Sequence, residues 1–248
     1  MTKIKENCVL ITGGASGIGR IMGRVSLEKG ARQLVIWDIN EANITATVNE
    51  FKGIGNVKGY RVDVSDSKMV KQIAEQTMKE CGNVDIVINC AGIVTSNATF
   101  DKLTTDEIER TIKINTIAPM IVAQQFFPAM VERNHGHVCN IASAAGMISN
   151  PRMSVYAASK WGVIGWSDSV RIELKQMKSK VRFTTIAPYF INTGMFDGVK
   201  SRFFPILKPE PTAKKIIKAI EKNKNFKGVP VWLSFYSFLP SFVAYFDF

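Results

Sequence analysis

The sequence predicts an α/β fold, a doubly wound and mostly parallel sheet flanked by helices, and three observations carry that expectation. Short apolar runs of strand length alternate with helical apolar patterns along most of the chain. The first run, Cys8–Thr12, passes directly into Gly13-Gly14-Ala15-Ser16-Gly17-Ile18-Gly19 and then into a helix. In that strand–turn–helix order, glycines let the backbone approach a pyrophosphate, and the N–H groups and dipole of the helix start stabilise it. Finally, 248 residues, 46% of them hydrophobic, with no internal linker, suit one domain with a sizeable core.

The elements follow in order. After the glycine turn, Ile18, Met22, Val25 and Leu27 give a helical pattern that stops at Lys29-Gly30. Leu34–Trp37 is a second strand ending in Asp38, and a helix runs from about Asn40 through Phe51. Val57–Val62 is the third strand, ending at Asp63-Val64, and Asp66 caps a helix to about Cys81. Val84–Asn89 is the fourth, closed by Asn89-Cys90-Ala91-Gly92. A long helical region spans about Thr104 to Arg133, contains Asn115 and is expected to kink at Pro119. Val138–Ala142 is strand five, Ser154 to Met177 a helix, and Val181–Ala187 strand six.

Two places carry chemistry. Asp38 lies nineteen residues after Gly19, where a carboxylate accepts from the ribose hydroxyls of an adenosine. It repels a 2′-phosphate, no arginine or lysine immediately follows it, and Ser16 in the loop adds no positive charge, so NAD(H) is expected over NADP(H). Helix capping is a second role open to Asp38. The other place is the helix start: Tyr156 and Lys160 are four apart and stack on one helical face. An ammonium beside a phenol favours the phenolate, so the spacing predicts a lowered tyrosine pKa and a group able to move a proton at an alcohol or carbonyl oxygen. Ser143, thirteen residues upstream, sits just past strand five, at the carboxyl edge where open α/β sheets bind ligands.

Composition narrows the partners. Cys8, Cys81, Cys90 and Cys139 form no C-x-x-C pair and read as free thiols of a reducing compartment, not as metal ligands. His135 and His137 flank Gly136 and are expected in a polar turn; no metal is expected. The net charge is +11, with positive residues scattered except for Lys214, Lys215, Lys218, Lys222, Lys224 and Lys227, read as a solvated helix face without nucleic-acid motifs. The start MTKIKENCVLIT has no apolar segment before the first strand, so a cytoplasmic protein with peripheral membrane contact at most is expected.

Taken together, Thr12 through Gly19, Asp63-Val64, Asn89 through Gly92, Asn115, Ser143, Tyr156-x-x-x-Lys160 and Pro188 through Thr193 resemble the short-chain dehydrogenase/reductase family over essentially the whole chain. The resemblance implies a Rossmann-type sheet of about seven strands, a homodimer or homotetramer, and a catalytic tetrad of Asn115, Ser143, Tyr156 and Lys160. It implies that Gly13, Ser16, Gly17, Ile18 and Gly19 line the pyrophosphate, and that Asp63 and Val64 border the adenine. Asn89, Ala91 and Gly92 would border the ribose–nicotinamide, with Ile191 and Thr193 at the carboxamide. Tyr156 is then the acid/base, Lys160 lowers its pKa, Ser143 donates to the substrate oxygen, and Asn115 holds a relay water. Tyr189-Phe190 departs from the Pro-Gly common in the family and is similar to its retinol dehydrogenase and 17β-hydroxysteroid dehydrogenase branch.

Ala145, Met147, Met153, Phe190, Met195, Phe196, Phe203 and Phe204 are expected to wall an apolar substrate pocket, with residues 194–210 as its lid. The aromatic tail, residues 229–248, needs cover from a partner subunit, the substrate channel or a membrane interface, with Trp232 and Tyr245 suited to the last. The favoured reading is NAD-dependent oxidoreduction of a lipophilic alcohol or ketone. Its rivals are 3-oxoacyl-thioester reduction and a cofactor-binding protein that docks to a membrane or partner.

Overall fold

The first strand, β1 (Cys8–Thr12), is apolar on both faces, as a strand must be when helices cover both sides of a parallel sheet. A computed structural model describes residues 1–194, 205–230 and 233 of the chain. It places β1 in the interior of a sheet in the order β3-β2-β1-β4-β5-β6-β7, with β4 at the centre and every neighbouring pair parallel. The remaining strands are β2 (Gln33–Asp38), β3 (Val57–Arg61), β4 (Ile86–Asn89), β5 (His137–Ile141), β6 (Arg182–Pro188) and β7 (Phe226–Val229). The helices are α1 (Gly17–Glu28), α2 (Glu41–Phe51), α3 (Ser67–Cys81), α4 (Thr105–Ile112), α5 (Ala118–Glu132), α6 (Ser154–Gln176) and α7 (Pro209–Glu221).

Alternation along each strand divides the core into two layers. Val9, Ile11, Leu34 and Ile36 pack with Met22, Phe51, Ile216 and Ile220 of α1, α2 and α7. Leu10, Val35, Trp37 and Val87 pack with Val70, Val122, Phe126 and Met130 of α3 and α5. Each such side chain, fully buried, stabilises the fold by about 1.5–3 kcal/mol. The lysine-rich segment is α7 and the residues after it: Thr212, Ala213, Ile216, Ile217 and Ile220 face the core while Lys214, Lys215 and Lys218 are exposed. The solvated-face reading holds for these three; Lys222 and Lys224 are exposed after the helix, and Lys227 is half-buried in β7.

Three local expectations are revised. Pro119 does not break its helix, which runs on from α4 through a π turn into α5. The irregularity precedes it as a π turn, Lys113–Ile117, carrying Asn115 between α4 and α5. His137 is not a turn residue but the fully buried first residue of β5, its Nδ1 2.8 Å from Thr2 Oγ1 and its Nε2 2.8 Å from Thr184 Oγ1. Two-residue spacing around Gly136 hid that only His135 is exposed. Asp38 is not the cap of α2; Asn40 is, accepting from Asn43 N at 3.0 Å. The tail from 234 onward, Trp232 and most of the expected lid lie outside the described residues.

Candidate active site

At the carboxyl edge of the sheet, where strand order reverses between β1 and β4, the chain forms an open cleft. Ser143, Tyr156 and Lys160 line it together. Ser143 ends the loop after β5 and starts a short 3₁₀ turn, its Oγ accepting from Ala145 N at 3.2 Å. Tyr156 and Lys160 stand in the first two turns of α6, both buried, with Lys160 Nζ 5.7 Å from the phenol ring centroid. Lys160 Nζ donates to Ile141 O, the end of β5, at 3.0 Å.

The electrostatics differ from the spacing argument. Burial pushes the Tyr156 phenol up to about 12, and a hydrogen bond from Ser143 opposes that rise without cancelling it. Burial also pulls Lys160 down to about 8. The expected lowering of the phenol is therefore absent: desolvation, which penalises the charged form of each group, is the largest cause of both shifts.

Asn115 lies behind this trio, fully buried and outside the cleft lining. Its Oδ1 accepts from Ile93 N at 2.8 Å, and its Nδ2 donates to Ile93 O at 2.9 Å and to Ser159 Oγ at 3.2 Å. Ser159 Oγ in turn donates to Tyr156 O at 2.6 Å, and Thr116 Oγ1 donates to Ser159 O at 2.9 Å. The geometry thus makes the Asn115 side chain a brace between the loop after β4 and the start of α6. Ser159 and Thr116, which sequence reading missed, complete it. A serine inside Tyr-x-x-x-Lys was their only signal.

The glycine turn fits a pyrophosphate. Gly13 has φ +64°, and a Cβ on Gly19 would stand 2.1 Å from Gly13 O, so only hydrogen fits there. Helix α1 starts at Gly17 with Ser16 at its N-cap making no side-chain cap bond and no acidic residue in its first turn, which leaves the positive helix end facing the edge of the cleft. Ile18, Gly92, Ile191 and Thr193 line the cleft itself. A Cβ on Gly17 would lie 3.6 Å from Thr193, which puts the turn beside the loop after β6. Thr12 Oγ1 accepts from Cys90 N and Ala91 N, each at 3.1 Å, and so ties the turn to the loop after β4.

Farther along the same edge, Asp38 ends β2, its Oδ2 accepting from Ala15 N at 3.0 Å and its Oδ1 from Asn40 N at 3.1 Å. Asp63 and Val64 follow β3, with Asp63 Oδ1 accepting from Ser65 N at 2.9 Å. Arg61 stands in register beside Asp38, a neighbouring cation that sequence adjacency does not reveal.

Some expected site residues fall elsewhere. Asn89 points away from the cleft: its Nδ2 donates to Asn140 Oδ1 at 2.8 Å and to Pro119 O at 3.2 Å, bracing β4 against β5 and α5. Of the expected substrate wall, Ala145, Met153 and Phe190 line the cleft; Met147, half-buried, does not. Met195, Phe196, Phe203 and Phe204 lie outside the described residues. Cys90, Asn150 and Tyr189 line the cleft without having been expected there.

A doubly wound sheet with a tyrosine, a lysine and a serine converging at its carboxyl edge, next to a pyrophosphate-shaped turn, defines a nucleotide-dependent oxidoreductase architecture. The chain belongs to the short chain dehydrogenase family, whose model matches residues 7–202, and is an alcohol-type oxidoreductase. Short-chain dehydrogenase/reductase family 16C member 6 of Bos taurus is 39% identical over 228 residues, covering 90% of this chain and 72% of its own. Epidermal retinol dehydrogenase 2 of Mus musculus is 39% identical over 239 residues, covering 94% and 77%. Estradiol 17-beta-dehydrogenase 11 of Homo sapiens is 33% identical over 230 residues, covering 92% and 76%. A short-chain dehydrogenase/reductase of Burkholderia phymatum, crystallised with NAD, superposes with a TM-score of 0.86 over 96% of this chain and 94% of its own. At 23% identity that likeness is one of fold.

Proposed function

We propose that this protein transfers hydride between NAD(H) and a lipophilic alcohol or ketone. The observation that carries the reading is the convergence of Ser143, Tyr156 and Lys160 in a cleft whose wall includes Ala145, Met153, Phe190 and Ile191. Relatives named retinol and estradiol dehydrogenases support the lipophilic assignment.

The nicotinamide, when bound, accepts or supplies the hydride. The glycine turn and α1 hold its pyrophosphate, Asp38 the adenosine ribose, Asp63 and Val64 the adenine side, and Gly92, Ile191 and Thr193 the nicotinamide end. Tyr156 moves the proton. With its phenol pushed up to about 12, it is held protonated at neutral pH and set to donate to a carbonyl oxygen being reduced. In the reverse direction it must first become phenolate, which the Lys160 ammonium stabilises across the ring separation. Oxidation should therefore gain more than reduction from rising pH. Ser143, hydrogen-bonded to the phenol here, turns to hold the substrate oxygen and stabilise charge developing on it. Asn115, through Ile93 and Ser159, keeps the start of α6 in place.

Absorbance of NADH, followed with purified protein against retinol, hydroxysteroids, long-chain alcohols and a 3-oxoacyl thioester with either cofactor, tests the reading. Turnover of a lipophilic alcohol with NAD supports it; thioester reduction with NADPH as the dominant activity would overturn it. Asp38 sharpens the cofactor half. Asp38→Ser removes the carboxylate and leaves Arg61 beside the ribose, so the preference for NAD over NADP should fall by about tenfold or more, the equivalent of one strong charge contact. An unchanged ratio would remove Asp38 from the cofactor reading.

Exposed Trp161 and Ile172 on α6, with Ile117 on the adjoining π turn, favour a second copy of the chain as cover for that face. Sedimentation of the purified protein checks it.

A further inference from the structure

We infer that Thr116 and Gly162 are positioning residues for hydride transfer: their contact sets the acid–base helix α6 against the cofactor-side wall of the cleft. The inference rests on the alcohol-oxidoreductase reading and adds to it two residues that lie outside the cleft lining.

The cleft has two working walls. One carries the proton-transfer groups. The 3₁₀ turn that Ser143 begins packs so closely on α6 that a Cβ on Gly146 would stand 2.8 Å from Lys160 O, so Ser143, Tyr156 and Lys160 are packed as one unit. The other wall is the loop after β4, where Gly92 lines the cleft and the next residue, Ile93, exchanges two main-chain hydrogen bonds with the Asn115 side chain. The π turn Lys113–Ile117 joins the two. Asn115 Nδ2 reaches Ser159 Oγ, and Thr116 Oγ1 donates to Ser159 O at 2.9 Å. Ser159 O already belongs to the α6 ladder, so the threonine proton is not there to satisfy a stranded carbonyl. It fixes where the π turn sits on the helix. Gly162 permits the approach: a Cβ there would stand 3.0 Å from Thr116 Cγ2, inside the usual separation of two carbons. An alanine at 162 therefore rotates Thr116 away from Ser159 O or lifts the turn by a few tenths of an ångström. Either change moves the acid–base unit relative to the wall at the nicotinamide end, and rate is sensitive to such shifts, by about 10²-fold for 1 Å.

The test follows NADH formation by the full-length protein with the best substrate of the alcohol panel, carrying hydrogen or deuterium at the carbinol carbon. Gly162→Ala should lower kcat about tenfold and raise the deuterium isotope effect, because hydride transfer becomes the slow step. Its thermal midpoint should hold or rise, since alanine is the better helix residue. Its pH profile should stay in place, since the acid–base unit itself is intact. Thr116→Ser keeps the hydroxyl and removes Cγ2, so alone it should resemble wild type. Combined with Gly162→Ala, it makes room for the new methyl and should restore kcat to within about twofold, a rescue that general destabilisation does not produce. Thr116→Val, which keeps the shape and loses the donor, should be slowed like Gly162→Ala; set against Thr116→Ser, it decides the matter alone should Gly162→Ala not accumulate. Full kcat in Gly162→Ala or Thr116→Val, a displaced pH profile, or a double variant no faster than Gly162→Ala overturns the assignment and leaves alcohol oxidation by the wild type standing. Absence of alcohol oxidation by the wild type overturns the parent reading and this one with it.

Discussion

The two edges of the sheet bury titratable groups in opposite ways. At the amino edge, Asp85 accepts from Cys8 N at 2.8 Å and pairs with Arg133 at 3.1 Å and Arg32 at 3.5 Å, while His137 is enclosed between the hydroxyls of Thr2 and Thr184. At the carboxyl edge, Tyr156 and Lys160 are as deeply buried by exposed surface, yet both line a cleft that opens outward. Burial lowers the affinity of His137 and Lys160 for a proton alike, the first to about 3 and the second to about 8. A shifted pKa therefore does not by itself separate a catalytic group from a structural one. Access to a cleft does, and it tells which shifts can be spent on chemistry.

Tyr156→Phe breaks the comparison most sharply if it is wrong. Removing one hydroxyl from the cleft edge should lower turnover by about 10²–10⁴-fold, the range for a positioned acid–base group, while thermal midpoint and NADH binding stay close to wild type. Substantial residual activity would show that the carboxyl-edge phenol is another packed core group. Asp85→Ala is the converse. It leaves Arg133 beside an empty position and Cys8 N without its acceptor, so urea unfolding should report a loss of about 3 kcal/mol. Turnover per folded molecule should hardly change. A fall in kcat without a fall in stability would mean that the amino edge takes part in the reaction.

How much of this the chain announces depends on the range of the interaction. The strands β1 to β6, the glycine turn and the Tyr156–Lys160 pair are legible because strand alternation, a turn and a helical i,i+4 pair are local in sequence. Asp38 at the end of β2 is legible for the same reason. The resemblance extended that reading to about seven strands, but β7 itself, short and only partly apolar as Phe226-Lys227-Gly228-Val229, carries little periodic signal. Arg61 reaches Asp38 only through β2–β3 register, and the role of Asn89 depends on Asn140, 51 residues away. The direction of the Tyr156 shift was misread because neighbouring charge is visible in a four-residue spacing and burial is not. His137 was misread for the opposite reason: Gly136 suggests a turn, and the turn ends one residue earlier than the polar pattern does.

His137 offers the finest discrimination between the edges. Thr184 Oγ1 donates its proton to Lys224 O at 2.6 Å, so it can only accept from the ring, and Nε2 carries the hydrogen. Thr2 Oγ1 lies 2.8 Å from Nδ1 and 2.7 Å from Asn223 Oδ1, and its single proton can serve only one of them. Burial, reinforced by the Arg182 charge, opposes a second proton on the ring. The folded pKa is depressed from 6.5 to about 3, so between those values the unfolded chain binds a proton that the folded chain refuses. The contribution of His137 is then fully present above pH 6.5 and is lost as pH falls through the window towards 3. His137→Gln, neutral throughout, should flatten that part of the stability–pH curve, narrowing the acid loss between pH 7 and 4 by on the order of 2 kcal/mol. Carboxylates contribute the same background to both proteins, so the difference in slope isolates the ring. Parallel curves would mean that His137 takes up its proton in the folded state. The amino edge would then hold a group as open to its surroundings as those around the cleft, and the contrast between the two edges would fail at its smallest term.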